Sequence, residues 1–290
     1  MGQRDLRRRR MASPRPVQRV ESSSHPTIVL ARSLANPHGR KKSGLILLEG
    51  FRAIAGALDA GAVPDSVLGT REAFSSEAGT GITARLARSG CRIMEITPAI
   101  METISQVEAP QGIVMLCPPP RAGMEVILNS EFVVVADRIQ DPGNLGTIMR
   151  TAKAFGVGAV ITTKGSVEAG NPKALRASAG VWPGLPVAEG LGADEAVKAL
   201  AGAGFRIIVA ESNGGEDYRV LDWKGRVALV IGSEAHGPDE VFLSAAQSRA
   251  FIRIHQGVES LNAATAAAIL MAEAACIRGT IGVFKGGTGN

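Results

Sequence analysis

Hydrophobic residues along this chain fall into short apolar runs that alternate with amphipathic stretches. The clearest example is residues 131–155, which begin with a β-branched run typical of a buried strand. An Asp-Pro-Gly turn then breaks the run, and a helix is predicted from Asn144, because asparagine is a good N-cap. Arg150 lies about 160° around that helix from its apolar stripe, at roughly 100° per residue. It is therefore predicted to point away from its own sheet, either into solvent or towards something outside its own core.

Two structural units follow from this alternation. Residues 25–118 mix short strands and helices and predict a small α/β sandwich, whereas residues 129–281 alternate strand and helix regularly. Regular alternation predicts a parallel sheet with helices on both faces. The Pro- and Gly-containing stretch 119–128 is the expected linker. The predicted strands are residues 43–48, 67–69, 93–96 and 112–117 in the first unit and 131–136, 159–162, 206–210, 227–231 and 250–254 in the second.

The two chain ends lack the pattern of a folded core. Residues 1–24 are rich in arginine, proline and serine and predict a disordered basic tail, and residues 282–290 predict a flexible C-terminus. The tail either has no function, since Met11 could also initiate translation, or is an arm that binds phosphates. It lacks the apolar core of a secretory signal, and a mitochondrial presequence is an alternative that is not favoured.

The net charge of +5 at pH 7 is concentrated at the N-terminus. Residues 1–20 hold seven arginines and one aspartate, so the remaining 270 residues sum to −1. Overall basicity therefore does not argue for nucleic-acid binding, and only local clusters can. The cluster at residues 38–42, HGRKK, is either a solvated loop or an RNA contact.

Composition argues against several classes of protein. No apolar stretch approaches the ~18 to 20 residues of a membrane span, so no membrane association is expected. The three cysteines are far apart and the four histidines lack zinc spacing, which predicts a reducing compartment and no metal site. The chain has no Walker A sequence and no G-x-G-x-x-G motif after the first strand of the second unit, which disfavours nucleotide-dependent Rossmann enzymes.

Three polar loops follow predicted strands of the second unit and are expected at one edge of the sheet. They are residues 137–143, 232–237 and 255–260, and ligands bind at the carboxyl edge of open α/β sheets. These loops and their flanks contain few titratable groups. This inventory suits recognition of an uncharged, adenosine-like ligand by backbone groups better than it suits hydrolysis. Its polar side chains are Arg150, Glu234, His236, Glu259, Asn144, Ser260 and Asn262.

The three loops and their flanks resemble the three motifs of the SpoU (TrmH-like) branch of the SPOUT superfamily, which consists of RNA ribose 2′-O-methyltransferases. The first motif is similar to residues 137–152 (DRIQDPGNLGTIMRTA), the second to 229–237 (LVIGSEAHG) and the third to 252–262, which end in Glu-Ser-Leu-Asn. More weakly, residues 25–118 resemble the ribosomal-protein-like substrate-binding domain often fused to such enzymes, through the basic cluster, the GLILLEG run after it and a later APQGI.

The resemblance implies an α/β protein whose C-terminal, SPOUT-type parallel sheet contains a deep trefoil knot formed by residues from about 205 to 278. It implies S-adenosylmethionine as cofactor and a cytoplasmic homodimer that associates through the C-terminal domain. The expected reaction is methyl transfer to a ribose 2′-hydroxyl of RNA, with large-subunit ribosomal RNA favoured by the fused first domain. The alternatives are a tRNA ribose 2′-O-methyltransferase and a catalytically silent RNA-binding or ribosome-assembly factor on the same scaffold.

The resemblance also assigns roles to single residues. Arg150 is expected to activate the ribose 2′-hydroxyl in the partner's pocket, either as the proton acceptor or by positioning the ribose and stabilising charge. The second role is favoured, because a guanidinium is a permanent cation and a poor base. The chain departs from the family at Arg253, which stands where the third motif commonly has proline and is expected near the pocket. The expected catalytic residues are Arg150, Asn144, Glu234, Ser260 and Asn262; the expected cofactor contacts are Ala210, Ile231, Gly232, Gly237, Ile252 and Leu261; and the expected RNA contacts are Arg40, Lys41, Lys42 and Arg138.

Overall fold

Two separate β-sheets organise the chain. The computed structural model describes residues 17–87, 90–120 and 122–281. The first unit comprises Met1–Leu58 and Ala62–Pro118, and the second comprises Asp59–Gly61 and Pro119–Asn290. The main division therefore falls at the start of the predicted linker.

The first unit contains, within the described residues, a sheet of five strands. These are β1 (Gln18–Val20), β2 (Ile46–Glu49), β3 (Ser66–Thr70), β4 (Arg92–Ile96) and β5 (Ile113–Cys117). Their order is β1-β4-β3-β5-β2, with β1, β4 and β3 parallel and β5 antiparallel to both of its neighbours. The helices of this unit are α1 (Pro26–Ser33), α2 (Pro37–Ser43), α3 (Phe51–Asp59), α4 (Arg71–Ser75), α5 (Glu77–Leu86) and α6 (Pro98–Ile104). A buried apolar cluster that includes Ile28, Leu68 and Met101 joins helices to sheet.

The second unit contains, over the same described part of the chain, a parallel sheet of seven strands. These are β6 (Phe132–Ala136), β7 (Ala159–Thr163), β8 (Val187–Leu191), β9 (Arg206–Glu211), β10 (Glu216–Asp217), β11 (Val227–Ile231) and β12 (Ser248–Phe251). Their order is β10-β12-β9-β11-β6-β7-β8, and every pair is parallel. The helices are α7 (Met124–Leu128), α8 (Pro142–Ala154), α9 (Pro172–Ala177), α10 (Ala193–Gly202), α11 (Glu240–Ala245) and α12 (Ala263–Arg278), with short 3-10 turns at Trp182–Gly184 and Tyr218–Val220.

The central strands of the second sheet are apolar along their whole length. Every residue of β6, β7 and β11 is buried, as expected for parallel strands that are covered on both faces. The register pairs Ala136 of β6 with Ile231 of β11, and Val230 of β11 with Val209 of β9. These strands therefore end at the same edge, and the polar loops that follow them meet there.

Helix α8 begins two residues earlier than the sequence predicts, at Pro142 rather than Asn144. The N-cap is Asp141, whose Oδ1 accepts a hydrogen bond from the Asn144 backbone N at 2.8 Å. This bond holds the pKa of Asp141 below its usual value. Pro142 is well tolerated in the first turn, because its missing N–H needs no partner there. Asn144 is therefore not the cap, and its side chain is available for other contacts.

Several stretches expected to be irregular have regular structure. Residues 18–20 of the predicted disordered tail form β1, which pairs with β4. The basic residues 38–42 lie within α2 rather than in a loop, and residues 124–128 of the predicted linker form α7, whose Ile127 is buried in the core. Residues 1–16 and the predicted flexible C-terminus at 282–290 lie outside the described residues.

Three strands of the second unit differ from the prediction, and one of them, the two-residue strand β10, is polar and is not predicted. Strand β8 is not predicted, because its second half, Glu189 to Leu191, is not apolar and is only partly covered. Strand β12 ends at Phe251, three residues before the predicted end, and residues 252–254 are irregular.

Close packing between α8 and α9 generates a stability prediction at Gly146. A Cβ on Gly146 would lie 2.3 Å from the carbonyl oxygen of Ala174 and 2.6 Å from the Cβ of Ala177. We expect Gly146→Ala to lower the free energy of unfolding by about 1 to 3 kcal/mol, because one of the helices must move. Chemical denaturation measures this loss.

The matched control is Gly202→Ala, because Gly202 is also helical but a Cβ there would meet no described atom within 4 Å. This control should be neutral or slightly stabilising, since alanine reduces the entropy of the unfolded chain. Equal unfolding free energies for the two variants would contradict the close helix packing.

Candidate active site

A cavity of about 410 Å³ opens at the carboxyl edge of the second unit's sheet. Its walls come from the loops after β9, β11 and β12 and from helices α11 and α12. Its volume is that of a small-molecule site. All six residues predicted to contact the cofactor line this one cavity: Ala210, Ile231, Gly232, Gly237, Ile252 and Leu261. Glu234 and Ser260, predicted to be catalytic, line it as well.

The sequence prediction misses part of the lining. Glu211 ends β9, and Ser212 and Asn213 directly follow it; their position at the end of a buried strand is the signal that could have identified them. Leu243 of α11 and Leu270 of α12 also line the cavity. Apolar helix positions carry no local sign of a ligand, so only the fold reveals these two.

The charge of the lining disfavours ligands that carry phosphate. Among the described residues that line the cavity there is no lysine or arginine, whereas Glu211 and Glu234 are both present. Arg249, which is not part of the lining, donates from Nη1 to Glu211 Oε2 at 3.3 Å. Phosphate sites need cationic or clustered N–H donors, so this lining suits a neutral or cationic nucleoside better.

The loop after β11 (residues 232–237, called here the β11 loop) is closed tightly on itself. Gly237 N donates to Ser233 O at 2.8 Å. A Cβ on Gly232 would lie only 2.1 Å from Pro238 N and 2.2 Å from the carbonyl carbon of Gly237, so only glycine fits at this position. The tight closure fixes the backbone groups that a ligand in the cavity would meet.

Side chains from all three motif segments join in one hydrogen-bond chain. Asn144 Nδ2 donates to Glu234 Oε1, and Asn262 Nδ2 donates to Asn144 Oδ1 at 2.9 Å. Asn262 also caps α12, because its Oδ1 accepts from the backbone N of Ala264 at 3.0 Å and of Thr265 at 3.2 Å. Three of the five predicted catalytic residues are thus in contact, and Asn262 is both a cap and a member of the chain.

A buried carboxylate at the end of β6 contacts the end of β7 and the N-cap residue of α11. Asp137 is 1% exposed, and its backbone N donates to Ile231 O at 2.8 Å. Its Oδ1 accepts from Thr163 Oγ1 at 2.6 Å, and its Oδ2 accepts from Asp239 N at 2.8 Å. Both carboxylate oxygens therefore hold neighbouring segments in place.

The structure does not support the RNA contact predicted for Arg138. Its guanidinium points inward: Nη1 is 3.3 Å from Asp239 Oδ2, and Nη2 donates to Gly237 O at 3.3 Å. The residue has a φ of +53°, a conformation that costs a non-glycine residue about 1 to 2 kcal/mol. A guanidinium that already contacts a carboxylate and a carbonyl of its own chain is poorly placed to contact a phosphate.

Arg150 is exposed on α8, away from the buried stripe formed by Leu145, Ile148, Met149 and Ala152, as predicted. Within the described part of the chain its guanidinium has no hydrogen-bond or ion-pair partner. Arg150 is also absent from the lining of the cavity. A single chain therefore does not bring Arg150 to the candidate site.

The basic cluster of the first unit divides into buried and exposed members. Arg40 is 6% exposed, and its Nη1 donates to the carbonyl oxygens of Leu34 at 2.9 Å and Ala35 at 3.1 Å. These carbonyls follow the end of α1, where helix geometry leaves acceptors unsatisfied. The structure therefore does not support the RNA contact predicted for Arg40, whereas Lys41 and Lys42 are exposed on α2 and stay candidates.

Arg253 turns away from the cavity, although it was expected near it. Its Nε lies 3.1 Å from Asp217 Oδ2, and its side chain is 75% exposed. Hydrogen bonds from Arg219 to the same carboxylate, reinforced by the charge of Arg253, hold the pKa of Asp217 far below its usual range. The neighbours Ile252 and Ile254 line the cavity instead. Arginine in place of proline thus leaves the cavity wall apolar.

Metal ligation, membrane spanning and cysteine nucleophiles find little support among the described residues. Over the ranges that the structure describes, no three His, Cys, Asp or Glu side chains are grouped as metal ligands would be. In the same ranges no helix has the length and apolarity needed to cross a bilayer. Burial raises the pKa of the Cys91 thiol to about 11 and that of Cys117 to about 12, so both are poor nucleophiles.

Known proteins are similar to this chain in both sequence and fold. The profile of the SpoU rRNA Methylase family matches residues 131–272, and that of the MRM3-like substrate binding domain matches residues 25–115. The chain is similar to the 23S rRNA (guanosine(2553)-2′-O)-methyltransferase RlmP of Bacillus subtilis, with 28% identity over 88% of this chain and 98% of the relative. It is 32% identical to rRNA methyltransferase 3, mitochondrial, of Mus musculus, over 87% of this chain and 71% of the relative.

A solved structure with bound cofactor is also similar. The AdoMet-bound rRNA methyltransferase of Sinorhizobium meliloti superposes with a TM-score of 0.80 and 26% identity, covering 89% of this chain and 97% of the other. The similarity covers most of both chains, so it extends beyond the second unit alone.

The hydrogen-bond chain through Asn144 generates a prediction about local stability. Asn144→Ala removes the bonds to Glu234 and Asn262, so amide hydrogen exchange in the β11 loop and at residues 262–265 should accelerate by about fivefold. The control is Thr147→Ala, at an exposed position on the same helix. Exchange mass spectrometry measures both; unchanged protection in Asn144→Ala would show that the bonds do not hold the segments together.

Proposed function

This chain belongs to the SpoU rRNA methylase family, and on that premise we propose that it transfers a methyl group from S-adenosylmethionine to a ribose 2′-hydroxyl of RNA. The observation that carries the proposal is the meeting of three motif segments at one cavity, joined through Asn144, Glu234 and Asn262. Relatives named as rRNA methyltransferases, one of them specific for 23S rRNA by its name, support large-subunit ribosomal RNA over tRNA as substrate.

The cofactor is S-adenosylmethionine, and the cavity residues fit it. When bound, this cofactor supplies a methyl group on a positively charged sulfonium. The cavity has the volume of a small-molecule site, and its lining offers apolar walls, backbone groups, and the carboxylates of Glu211 and Glu234. The two acidic residues favour a cationic ligand. The described lining has no lysine or arginine, the side chains that usually bind a phosphate group.

The second unit has the parallel α/β fold of SPOUT methyltransferases. Small side chains of α12, Ala263 and Ala266, reach the cavity wall, as close approach of a helix to a ligand-binding loop requires. The deep trefoil knot expected for residues from about 205 to 278 stays a prediction.

The proposed catalytic role of Arg150 requires a second copy of the chain. Arg150 is exposed, lacks a partner among the described residues, and does not line its own chain's cavity. In a symmetric dimer each copy can supply the same group to the other. We therefore infer that Arg150 enters the partner's cavity, where its permanent charge binds the RNA backbone and orients the ribose hydroxyl towards the methyl group.

The first unit is proposed to bind RNA. Lys41 and Lys42, exposed on α2, are proposed to contact RNA phosphates. We propose a cytoplasmic location, which the three cysteines support because they are free thiols, as in a reducing compartment. The intact set of Asn144, Arg150 and Glu234 argues against a catalytically silent assembly factor, which would not need all three.

Cofactor binding and methyl transfer test the function. Calorimetry should detect binding of S-adenosylmethionine to the wild type, and methyl transfer should be measured on ribosomal RNA from cells that lack this gene. Arg150→Ala should still bind the cofactor but lose about 100-fold or more in transfer rate, because a positioning charge is removed. Lys198→Ala, which removes an exposed charge on α10, is the control. Absence of cofactor binding at millimolar ligand would overturn the proposal.

Mixed dimers test whether the site is shared between copies. Arg150→Ala damages the group given to the partner, whereas Gly232→Ala damages the chain's own cavity, since a Cβ would meet Pro238 N at 2.1 Å. A heterodimer of the two variants contains one intact site if Arg150 acts across the interface, so it should recover about half the wild-type rate. Co-expression with two affinity tags isolates it. Activity no higher than that of the variant homodimers would mean that Arg150 acts within its own chain.

A further inference from the structure

Arg138 lies outside the cavity but contacts the segment that forms its wall. Its Nη2 donates to Gly237 O at 3.3 Å, and its Nη1 lies 3.3 Å from Asp239 Oδ2. Its Nε is buried and lies 3.5 Å from Asp137 Oδ2 without forming a hydrogen bond. One guanidinium thus reaches both ends of residues 237–239 and the buried carboxylate at the end of β6.

The contacts of Arg138 bear on two parts of the cavity wall. Gly237 is the last residue of the β11 loop and lines the cavity. Asp239 is the N-cap of α11, because its Oδ1 accepts from Val241 N at 3.1 Å, and Leu243 of the same helix lines the cavity. Movement of the guanidinium would therefore release the loop and the helix start together.

The backbone at Arg138 supports a positioning role. A φ of +53° is rare for a residue other than glycine, asparagine or aspartate. The backbone N of Arg138 donates a hydrogen bond to Thr163 Oγ1 at 2.9 Å. Gly165 lies next to the Arg138 side chain, since a Cβ built on Gly165 would be 3.6 Å from the Arg138 Cγ. Strained residues persist where the surrounding structure holds them, and they concentrate near functional sites.

The arrangement needs arginine rather than another cation. The guanidinium presents donors in a fixed planar fork, so it can address Gly237, Asp239 and Asp137 at the same time. A lysine has one nitrogen on a flexible stem and cannot span the three acceptors equally well.

We propose that Arg138 is a positioning residue for S-adenosylmethionine: it holds the β11 loop in the shape that binds the cofactor. It also couples that loop to the segment that carries Asn144, because both begin at the paired ends of β6 and β11. The proposal rests on the proposed function and replaces the RNA contact predicted for this residue.

Arg138→Gly separates positioning from fold stability. Glycine adopts a positive φ without strain, and this relief offsets part of the stability lost with the guanidinium contacts, so the thermal midpoint should fall by only a few degrees. The Kd for S-adenosylmethionine, measured by calorimetry, should increase about tenfold. The KM for the cofactor should rise in parallel, while kcat at saturating cofactor changes much less. Arg138→Asn, which also tolerates this φ, carries the same test should the glycine variant fail to fold.

Two further variants serve as controls. Ala179→Gly relieves the other positive φ of a non-glycine residue in the described chain, +51°, without touching the β11 loop, so it should leave the Kd unchanged. Arg138→Lys should restore part of the lost affinity, because it keeps a cation near Asp239.

The outcomes distinguish this inference from the proposed function. A Kd of Arg138→Gly within twofold of the wild-type value would overturn the positioning role. A loss of RNA affinity with unchanged cofactor affinity would overturn it too, in favour of the RNA contact. Failure of the wild type to bind S-adenosylmethionine would instead overturn the proposed function.

Discussion

The register between β6 and β11 is the constraint on which the candidate site depends. Ala136 pairs with Ile231, and the next residue, Asp137, continues the ladder by donating its backbone N–H to Ile231 at 2.8 Å. The two loops therefore start side by side. Slippage by one residue would exchange the faces of every side chain on the strand. It would also move Asn144 away from Glu234, so the packing of the strands and the geometry of the site depend on the same pairing.

The loops that start at this paired edge form a cavity, and its lining consists mainly of backbone groups and apolar side chains. Gly232 allows the β11 loop to fold onto Pro238, and the start of α12 closes the opposite wall. Few titratable groups are needed, because methyl transfer from a sulfonium depends chiefly on the approach and orientation of the acceptor. Charged side chains accordingly act around the cavity: Arg138 behind the loop, and Arg150 on an outward helix face.

Residues with strong local patterns behave as the sequence predicts. The β-branched runs form the buried strands β6 and β11, and the six expected cofactor positions meet at one cavity. The failures have a common cause, which is that sequence does not report where a long or polar side chain goes. Arg40 donates hydrogen bonds to carbonyl oxygens at the end of α1. Asp141, not Asn144, is the N-cap of α8, and the Asn144 side chain donates to Glu234. Strand β1 exists because β4 offers an edge, which is information held elsewhere in the chain.

The sequence by itself determined the central strands of the second unit, the loops that would carry the chemistry, and the family motifs in those loops. Hydrophobic periodicity and turn residues act over a few positions, so they can be recognised along the chain. Tertiary structure alone decided which side chains meet across long separations. It placed Asn144 against Asn262 and the Arg138 guanidinium against Gly237 and Asp239. It also left Arg150 exposed and unpartnered within the described chain. Those contacts depend on the register of distant strands, because strand pairing sets the distance between loops that lie far apart in sequence.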